Sequence, residues 1–214
     1  MSRPPLVIWG AGGHAVSVAG VALAAGWDVL AFIDPARVGE TCLSRPVLAS
    51  LPVSRPLAVT VAIGDNAVRE RVASALASEH PELAWPALVH PAAVVAEGAV
   101  LAEGVVIMPG AVIGPLARAG RWSLINTRAV LEHESELSQA ASLAPGAITG
   151  GRVRIGARSA VCLGSVVREK RVIGEDAVLG AASYLHHDQP ACTLAWGTPA
   201  TVRASRLPGS PYLD

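Results

Sequence analysis

Glu132-His133-Glu134 sets an imidazole between two carboxylates, in a chain with six histidines. A neighbouring carboxylate favours the charged imidazole and raises its basicity. That suits a general base working near neutral pH. Which of Glu132 and Glu134 takes this part depends on geometry. Asn126 lies one hexad earlier and places an amide nearby. A second group begins where the apolar run Leu6-Val7-Ile8-Trp9 ends, at Gly10-Ala11-Gly12-Gly13-His14. Glycines there let backbone approach phosphate oxygens, and a following helix adds N–H donors and a favourable dipole. Asp34 closes the next apolar run, Val29 to Ile33, where an acid can accept from a ribose hydroxyl. His14, inside the glycine turn, is a candidate substrate contact. His90 precedes Pro91 and reads as structural. His186 and His187 are adjacent, so their side chains are expected to diverge, and Asp188 does not complete a metal site. No metal is predicted.

The element that must carry His133 has an unusual period. From Val95 to Leu179 every sixth residue is Leu, Ile or Val, except Ala119 and Thr149. Four residues on from each stands a small residue or valine, with Arg171 the exception. A helix repeats at 3.6 and a strand at 2, and neither sustains a period of six. The pattern predicts a parallel β-helix of hexapeptides. Three hexads close a triangular coil, giving about five coils in this stretch. Each inward aliphatic residue contributes roughly 1.5–3 kcal/mol, and only stacking buries a rung's face. Leu131 and Ser135 take inward slots, so His133 and Glu134 fall at a corner and project outward.

Ahead of the repeat, strand, glycine turn, helix and strand form a βαβ unit. Residues 58–64 read as a third strand, and Asn66 as the cap of a helix to about Ser78, with Arg69 in its first turns. This half-Rossmann βαβαβ arrangement suits a mononucleotide or nucleotide sugar better than NAD. Residues 35–56 read as a loop or short irregular strand. After Ser183 the repeat is expected to end, Trp196 to Ala200 to turn back on the prism, and the tail to Asp214 to be loosely held. The expected divisions are 1–90, 91–185 and 186–214. Net charge is zero, which argues against nucleic-acid binding by counterion release. Three cysteines without metal spacing read as reduced thiols of a cytoplasmic protein. Gly10 to His14 interrupt the apolar run after Arg3, against a signal peptide, and no stretch reads as a membrane span.

Taken together, Gly10-Ala11-Gly12-Gly13-His14, Phe32-Ile33-Asp34, Ile63-Gly64-Asp65-Asn66 with Arg69, Ile125-Asn126-Thr127, Glu132-His133-Glu134 and Gly197-Thr198-Pro199-Ala200 carry a resemblance. Over nearly its full length the chain resembles the hexapeptide-repeat sugar acyltransferases, in the group of nucleotide-aminosugar N-acetyltransferases and sialic-acid O-acetyltransferases. The resemblance implies a left-handed β-helix and a homotrimer, with acetyl-CoA in the groove between subunits. It implies a nucleotide-linked sugar held by Gly12, Gly13, His14, Asp34, Gly64 and Asn66, with Asn126 on the acceptor sugar. It makes His133 the base and Glu134 its partner, and places CoA beside Ser142, Leu163 and Ala181. Ser142 stands where a second histidine often occurs in the group. The expected reaction is N-acetylation of a 4-amino-4,6-dideoxy sugar by direct attack, without an acyl-enzyme. O-acetylation of a sugar or sialic acid hydroxyl is the alternative, and a non-catalytic nucleotide-binding protein the remote one.

Overall fold

The computed structural model describes residues 3–52 and 57–213. The first unit is a five-stranded sheet with two helices. Its elements are β1 (Leu6–Trp9), α1 (Gly13–Ala24), β2 (Val29–Ile33), β3 (Thr41–Cys42), β4 (Arg45–Leu48), β5 (Ala58–Val61) and α2 (Asn66–Glu79). Strand order is β3-β4-β2-β1-β5, and β1, β2, β4 and β5 run parallel. Apolar residues on both faces of β1 and β2 lie fully inside, as continuous apolar runs in a parallel sheet require. The segment expected as a loop therefore contains a hairpin that extends the sheet, joined through Leu43 and Ser44, both at positive φ. Val53 to Pro56 of that segment lie outside the described residues. The third strand stops at Val61, short of the expected residue 64. The cap of α2 is Asp65, whose Oδ1 accepts from Val68 N at 3.0 Å, and not Asn66 as the sequence suggested.

The second unit is a β-solenoid. Two-residue strands alternate with corners, and each strand pairs in parallel with the one a full coil on: Val112 with Val130, Glu136 with Arg154, Leu124 with Ser142. Three sheets result. The domain-facing sheet has eight strands, among them Val106–Ile107, Leu124–Ile125, Ser142–Leu143 and Ala160–Val161, and α1 packs on it through Leu88, Val106, Met108 and Leu124. The apolar sheet has six, from Val94–Val95 through Val130–Leu131, Ile148–Thr149 and Val166–Val167 to Tyr184–Leu185. The charged sheet has five and shows Arg118, Glu136 and Arg154 outward. The repeat thus reaches one strand beyond Ser183, into residues expected to be irregular. The stretch from Thr193 to Ser205 is an antiparallel hairpin added to the domain-facing sheet, with Thr198-Pro199 in its turn.

The inward column is as the period demands. Ile107, Ile113, Ile125, Leu131, Leu137, Leu143 and Ile155 are fully buried. Serines in the small slot have a further use. Ser135, Ser159 and Ser165 each donate to a carbonyl of the following hexads (Gly150, Gly174, Gly180) and accept from a backbone N–H one coil on. Their buried hydroxyls are satisfied while they tie corner to corner. The glycines just after the aliphatic residue serve close stacking, since a Cβ on Gly156 or Gly174 would overlap the backbone of the next coil. The left-handed position falls two residues later and is filled by non-glycine residues at Arg128, Glu134, Arg152 and Lys170. Each such residue costs about 1–2 kcal/mol, so the corners are strained positions held by the stack.

Candidate active site

His133 stands at the corner between the apolar and charged sheets, half exposed, with its ring outward. Its Nδ1 lies 3.2 Å from Glu134 Oε1. The pairing left open by the sequence is thus with Glu134. Glu132 instead accepts from the backbone N of His133 at 3.0 Å. Arg152, one coil on, holds Glu134 through both carboxylate oxygens at 3.0–3.1 Å. This guanidinium first, and the imidazole after it, hold the Glu134 carboxyl below the usual carboxylate range. A carboxylate partner selects the tautomer with its proton on Nδ1, which leaves the Nε2 lone pair free.

The same corner explains the polar break in the inward column. Elsewhere the N–H just past each strand bonds the inward residue's carbonyl one coil on, as Gly114 N does to Leu131 O. At this corner Glu132 N bonds Thr149 Oγ1 instead, at 3.0 Å, and only Val130 and Ile148 remain paired between the two strands. Thr149 therefore supplies a hydroxyl under the histidine where an aliphatic side chain has nothing to offer. Gly151 is bare for a matching reason: any Cβ there would overlap the imidazole. Of the two, Thr149 was visible in the sequence as an exception to the repeat.

A cleft opens between the first unit and the solenoid. It is lined by His14 and Gly64 on one side, and by Leu124, Asn126, Ser142, Ala144, Pro145, Cys162 and Leu163 on the other, with Tyr212 and Leu213 closing it. Its volume is about 240 Å³, below the ~300–1,000 Å³ of pockets that enclose a whole small-molecule ligand. It fits one end of a longer molecule. Pro145 also borders a hollow with Pro109, Thr127, Arg128 and Gly146, so the surface continues along the corner between the domain-facing and apolar sheets. Ala181 lies further along that corner, exposed. His14 is pushed down to about 4, chiefly by burial and then by the charge of Arg69, so it is neutral at pH 7.

Five of the expected site residues, His14, Gly64, Asn126, Ser142 and Leu163, thus meet in one cleft. Gly12 and Gly13 are exposed beside it at the start of α1, with no acidic residue in its first turn. Asp34 accepts from Ala11 N at 3.3 Å and Ala36 N at 3.1 Å, bracing the glycine turn from the end of β2. Asn66 is corrected: its side chain is fully buried and donates to Ser142 Oγ, Arg158 O and Ser159 O at 2.9–3.1 Å, while its Oδ1 accepts from Arg69. With donors and acceptor occupied, it clamps α2 to the solenoid and is unavailable to a ligand. His133 and Glu134 do not line the cleft. They sit at the opposite edge of the apolar sheet, one strand on from the corner that carries Asn126.

Tyr212 and Leu213 are the site residues that sequence reasoning missed. The tail expected to be loose is tied down, with Tyr212 N and Leu213 N donating to Asp65 Oδ2 at 2.7 and 3.4 Å. His186 and His187 also differ from expectation, since their rings approach to 3.5 Å between centroids. Among the described residues no group of His, Cys, Asp and Glu could hold a metal ion, and no helix is long and apolar enough to cross a membrane.

Residues 5–76 match the family model described as the PglD N-terminal domain. Among solved structures, the chain is 31% identical to the GDP-perosamine N-acetyltransferase of Caulobacter crescentus, with TM-score 0.85 over 95% of this chain and 99% of the other. That enzyme was solved with CoA and GDP-perosamine, also as variants with one histidine replaced. The acetyltransferase domain of PglB from Neisseria gonorrhoeae is 29% identical, with TM-score 0.88 over 94% of this chain and all of the other, and was solved with acetyl coenzyme A. WeeI from Acinetobacter baumannii, 23% identical over 94% of this chain and all of the other with TM-score 0.86, shares the fold. No curated protein sequence matches the chain.

Proposed function

Since the chain belongs to the hexapeptide-repeat sugar acyltransferases, we propose that it transfers acetyl from acetyl-CoA to the amino group of a nucleotide-linked 4-amino-4,6-dideoxy sugar. The carrying observation is the division of the site. The base stands at one edge of the apolar sheet and the ligand cleft lies at the other. Between them is an uncovered apolar ladder: Val94, Ile148, Val166 and Tyr184 are 38–58% exposed. A contiguous apolar strip of this kind marks an interaction surface. Leucines flank it at both corners, Leu116 on the histidine side and Leu163 on the cleft side, each about 60% exposed.

A ring of three identical chains with parallel solenoids, the apolar sheets turned to a common axis, covers that strip. Such a contact joins one edge of a chain to the other edge of its neighbour, and it closes as a ring. His133 of one chain then faces the Asn126–Leu163 corner of the next. This supports a homotrimer of left-handed solenoids in which every site takes its base and its cleft from different chains. Gly12, Gly13, His14, Asp34 and Gly64 form the nucleotide-sugar side. Asn126 faces the acceptor sugar, and Ser142, Leu163 and Ala181 mark the corner along which CoA lies. The apolar corner with its few hydroxyls fits the long, mostly apolar pantetheine arm.

In the reaction the amine nitrogen attacks the acetyl carbonyl carbon and the carbon–sulfur bond breaks. His133 Nε2 accepts the amine proton and returns it to the sulfur, giving an amide and a free thiol. Glu134, fixed by Arg152, keeps Nδ1 protonated and the ring in place. Cys162 lines the cleft, but burial pushes its thiol up and away from the nucleophilic thiolate, which supports direct transfer. The test is acetyl transfer to UDP-, dTDP- and GDP-linked 4-amino sugars and to free sialic acid, followed by mass spectrometry. An acetamido product from at least one nucleotide sugar is expected. Acetylation of hydroxyls alone, or of no sugar in the presence of bound acetyl-CoA, would overturn the reading.

A further inference from the structure

The C-terminal segment lines the cleft through Tyr212 and Leu213, and the site described above leaves it without a role. It leaves the last hairpin strand at Arg206, whose N bonds Cys192 O at 2.7 Å. It crosses Asp176, where Gly209 N donates to Oδ1 at 3.0 Å, and Arg206 Nη2 braces the turn through Ser210 O at 2.8 Å. It ends on Asp65. One oxygen of that buried carboxylate caps α2 and the other receives Tyr212 N and Leu213 N. Pro208 and Pro211 flank the turn and narrow the unfolded ensemble, which lowers the entropy cost of ordering the segment.

What this anchoring delivers is a phenol. The Tyr212 hydroxyl reaches into the cleft opposite Ser142 Oγ, 3.4 Å away. That is well beyond the 2.7–2.8 Å typical of O–H···O hydrogen bonds, so neither hydroxyl has spent its proton well. Ser142 Oγ already accepts from Asn66 at 3.0 Å, and Asn66 cannot move because its other contacts lie inside the solenoid. Burial pushes the Tyr212 phenol up, keeping it a protonated donor. Apolar side chains adjoin these two hydroxyls, Leu124, Ala144, Leu163 and Leu213, the last packed against Gly64, while His14, Asn126 and Cys162 are the other polar groups of the lining. A hexose brings a hydroxyl on most of its carbons and needs many polar partners. The part of the cleft between Leu124, Ala144, Leu163 and Leu213, with its two spare hydroxyls, matches a methylene chain that carries amides at intervals, which is the make-up of a pantetheine arm.

We propose that residues 206–213 form a third wall of the cleft and that Tyr212 is a donor-binding residue, its hydroxyl donating to an amide oxygen of the pantetheine arm of acetyl-CoA. The proposal rests on the acyl donor being acetyl-CoA, and its test is a binding measurement that needs no acceptor sugar. CoA is titrated by calorimetry into the wild type, into Tyr212→Phe and into a chain ending at Leu207. Loss of one neutral hydrogen bond raises Kd by roughly 2- to 10-fold in Tyr212→Phe, with an unchanged melting temperature and unchanged affinity for the nucleotide sugar. The shortened chain loses the whole wall and weakens further. A Tyr212→Phe Kd equal to that of the wild type overturns the contact, and equal or tighter binding by the shortened chain overturns the wall. A wild type that does not bind CoA removes the functional reading, and this proposal with it.

Discussion

His133 is positioned by neighbours a coil above and below it. Gly114 lies so close to its backbone that a Cβ would overlap the amide nitrogen, Gly151 lies under its ring, and Arg152 steadies the carboxylate beside it. Replacing His133 by alanine removes the proposed base. Turnover is expected to fall by about 10²–10⁴-fold with a modest change in KM, measured by steady-state thiol release. Gly151→Ala keeps the imidazole but displaces it, so it should also lower kcat strongly while leaving the CoA Kd within about twofold. Wild-type kcat in either variant removes this corner from the chemistry. His14 has a thermodynamic signature. Its folded pKa of about 4 lies below the ordinary imidazole value of 6.5, so between those values the unfolded chain binds the extra proton. Stability is whole above pH 6.5 and falls as pH drops towards 4, by at most on the order of 3 kcal/mol. Urea melts of wild type and His14→Gln from pH 7.5 to 4.5 should diverge by this slope, and parallel curves would refute it.

At the scale of elements, α2 is the key that fixes the first unit on the solenoid. Arg69, in its first turns, is buried and makes no ion pair among the described residues. Its donors go to neutral oxygens: Trp122 O, Ile63 O, Gly64 O, Ala140 O and Asn66 Oδ1, all at 2.7–3.0 Å. Burial lowers it to about 10, so it remains a cation at neutral pH. The guanidinium thus joins the loop after β5 to two successive corners of the solenoid and fixes how wide the cleft opens. Arg69→Met keeps the volume but leaves several buried carbonyls without donors. It should cost at least about 3 kcal/mol, read from chemical denaturation, and a loss under about 1 kcal/mol would mean that water replaces the guanidinium without penalty. A linear reading makes Asn66 a helix cap and a ligand contact but gives neither it nor Arg69 a part in joining the two units. The burial that turns them into clamps comes from the solenoid, 50 to 90 residues away in sequence.

At the scale of the molecule, the uncovered apolar sheet lies between the base and the cleft. In the proposed trimer a neighbouring chain brings them together. If the proposed trimer forms, the wild type sediments as one, and Ile148→Glu, at the middle of the strip, should shift it towards monomer and abolish turnover together with it. Subunit mixing tests the shared site directly. Chains with His133→Ala and chains with a blocked cleft (Ser142→Trp), each inactive alone, should recover activity when unfolded and refolded together. If they mix at random, about a quarter of the sites receive an intact base and an intact cleft from different chains. Absence of recovery in confirmed mixed trimers would place base and cleft differently.

The period of six determined the solenoid, its inward column and the outward stance of His133, because side-chain direction in a stacked coil depends only on position within the hexad. The glycine turn and its flanking apolar runs likewise determined the βαβ start. Three things were decided only by the tertiary structure. Asp65 rather than Asn66 caps α2, since both residue types serve and the solenoid claims the asparagine. The choice of Glu134 over Glu132 follows from Arg152 in the next coil, a neighbour in space and not in sequence. The tail that composition marked as loose is ordered by Asp176 and Arg206 along its course and by Asp65, remote in sequence, at its last residues. Local pattern fixes which way a side chain points, whereas its partners depend on which distant segments fold against it.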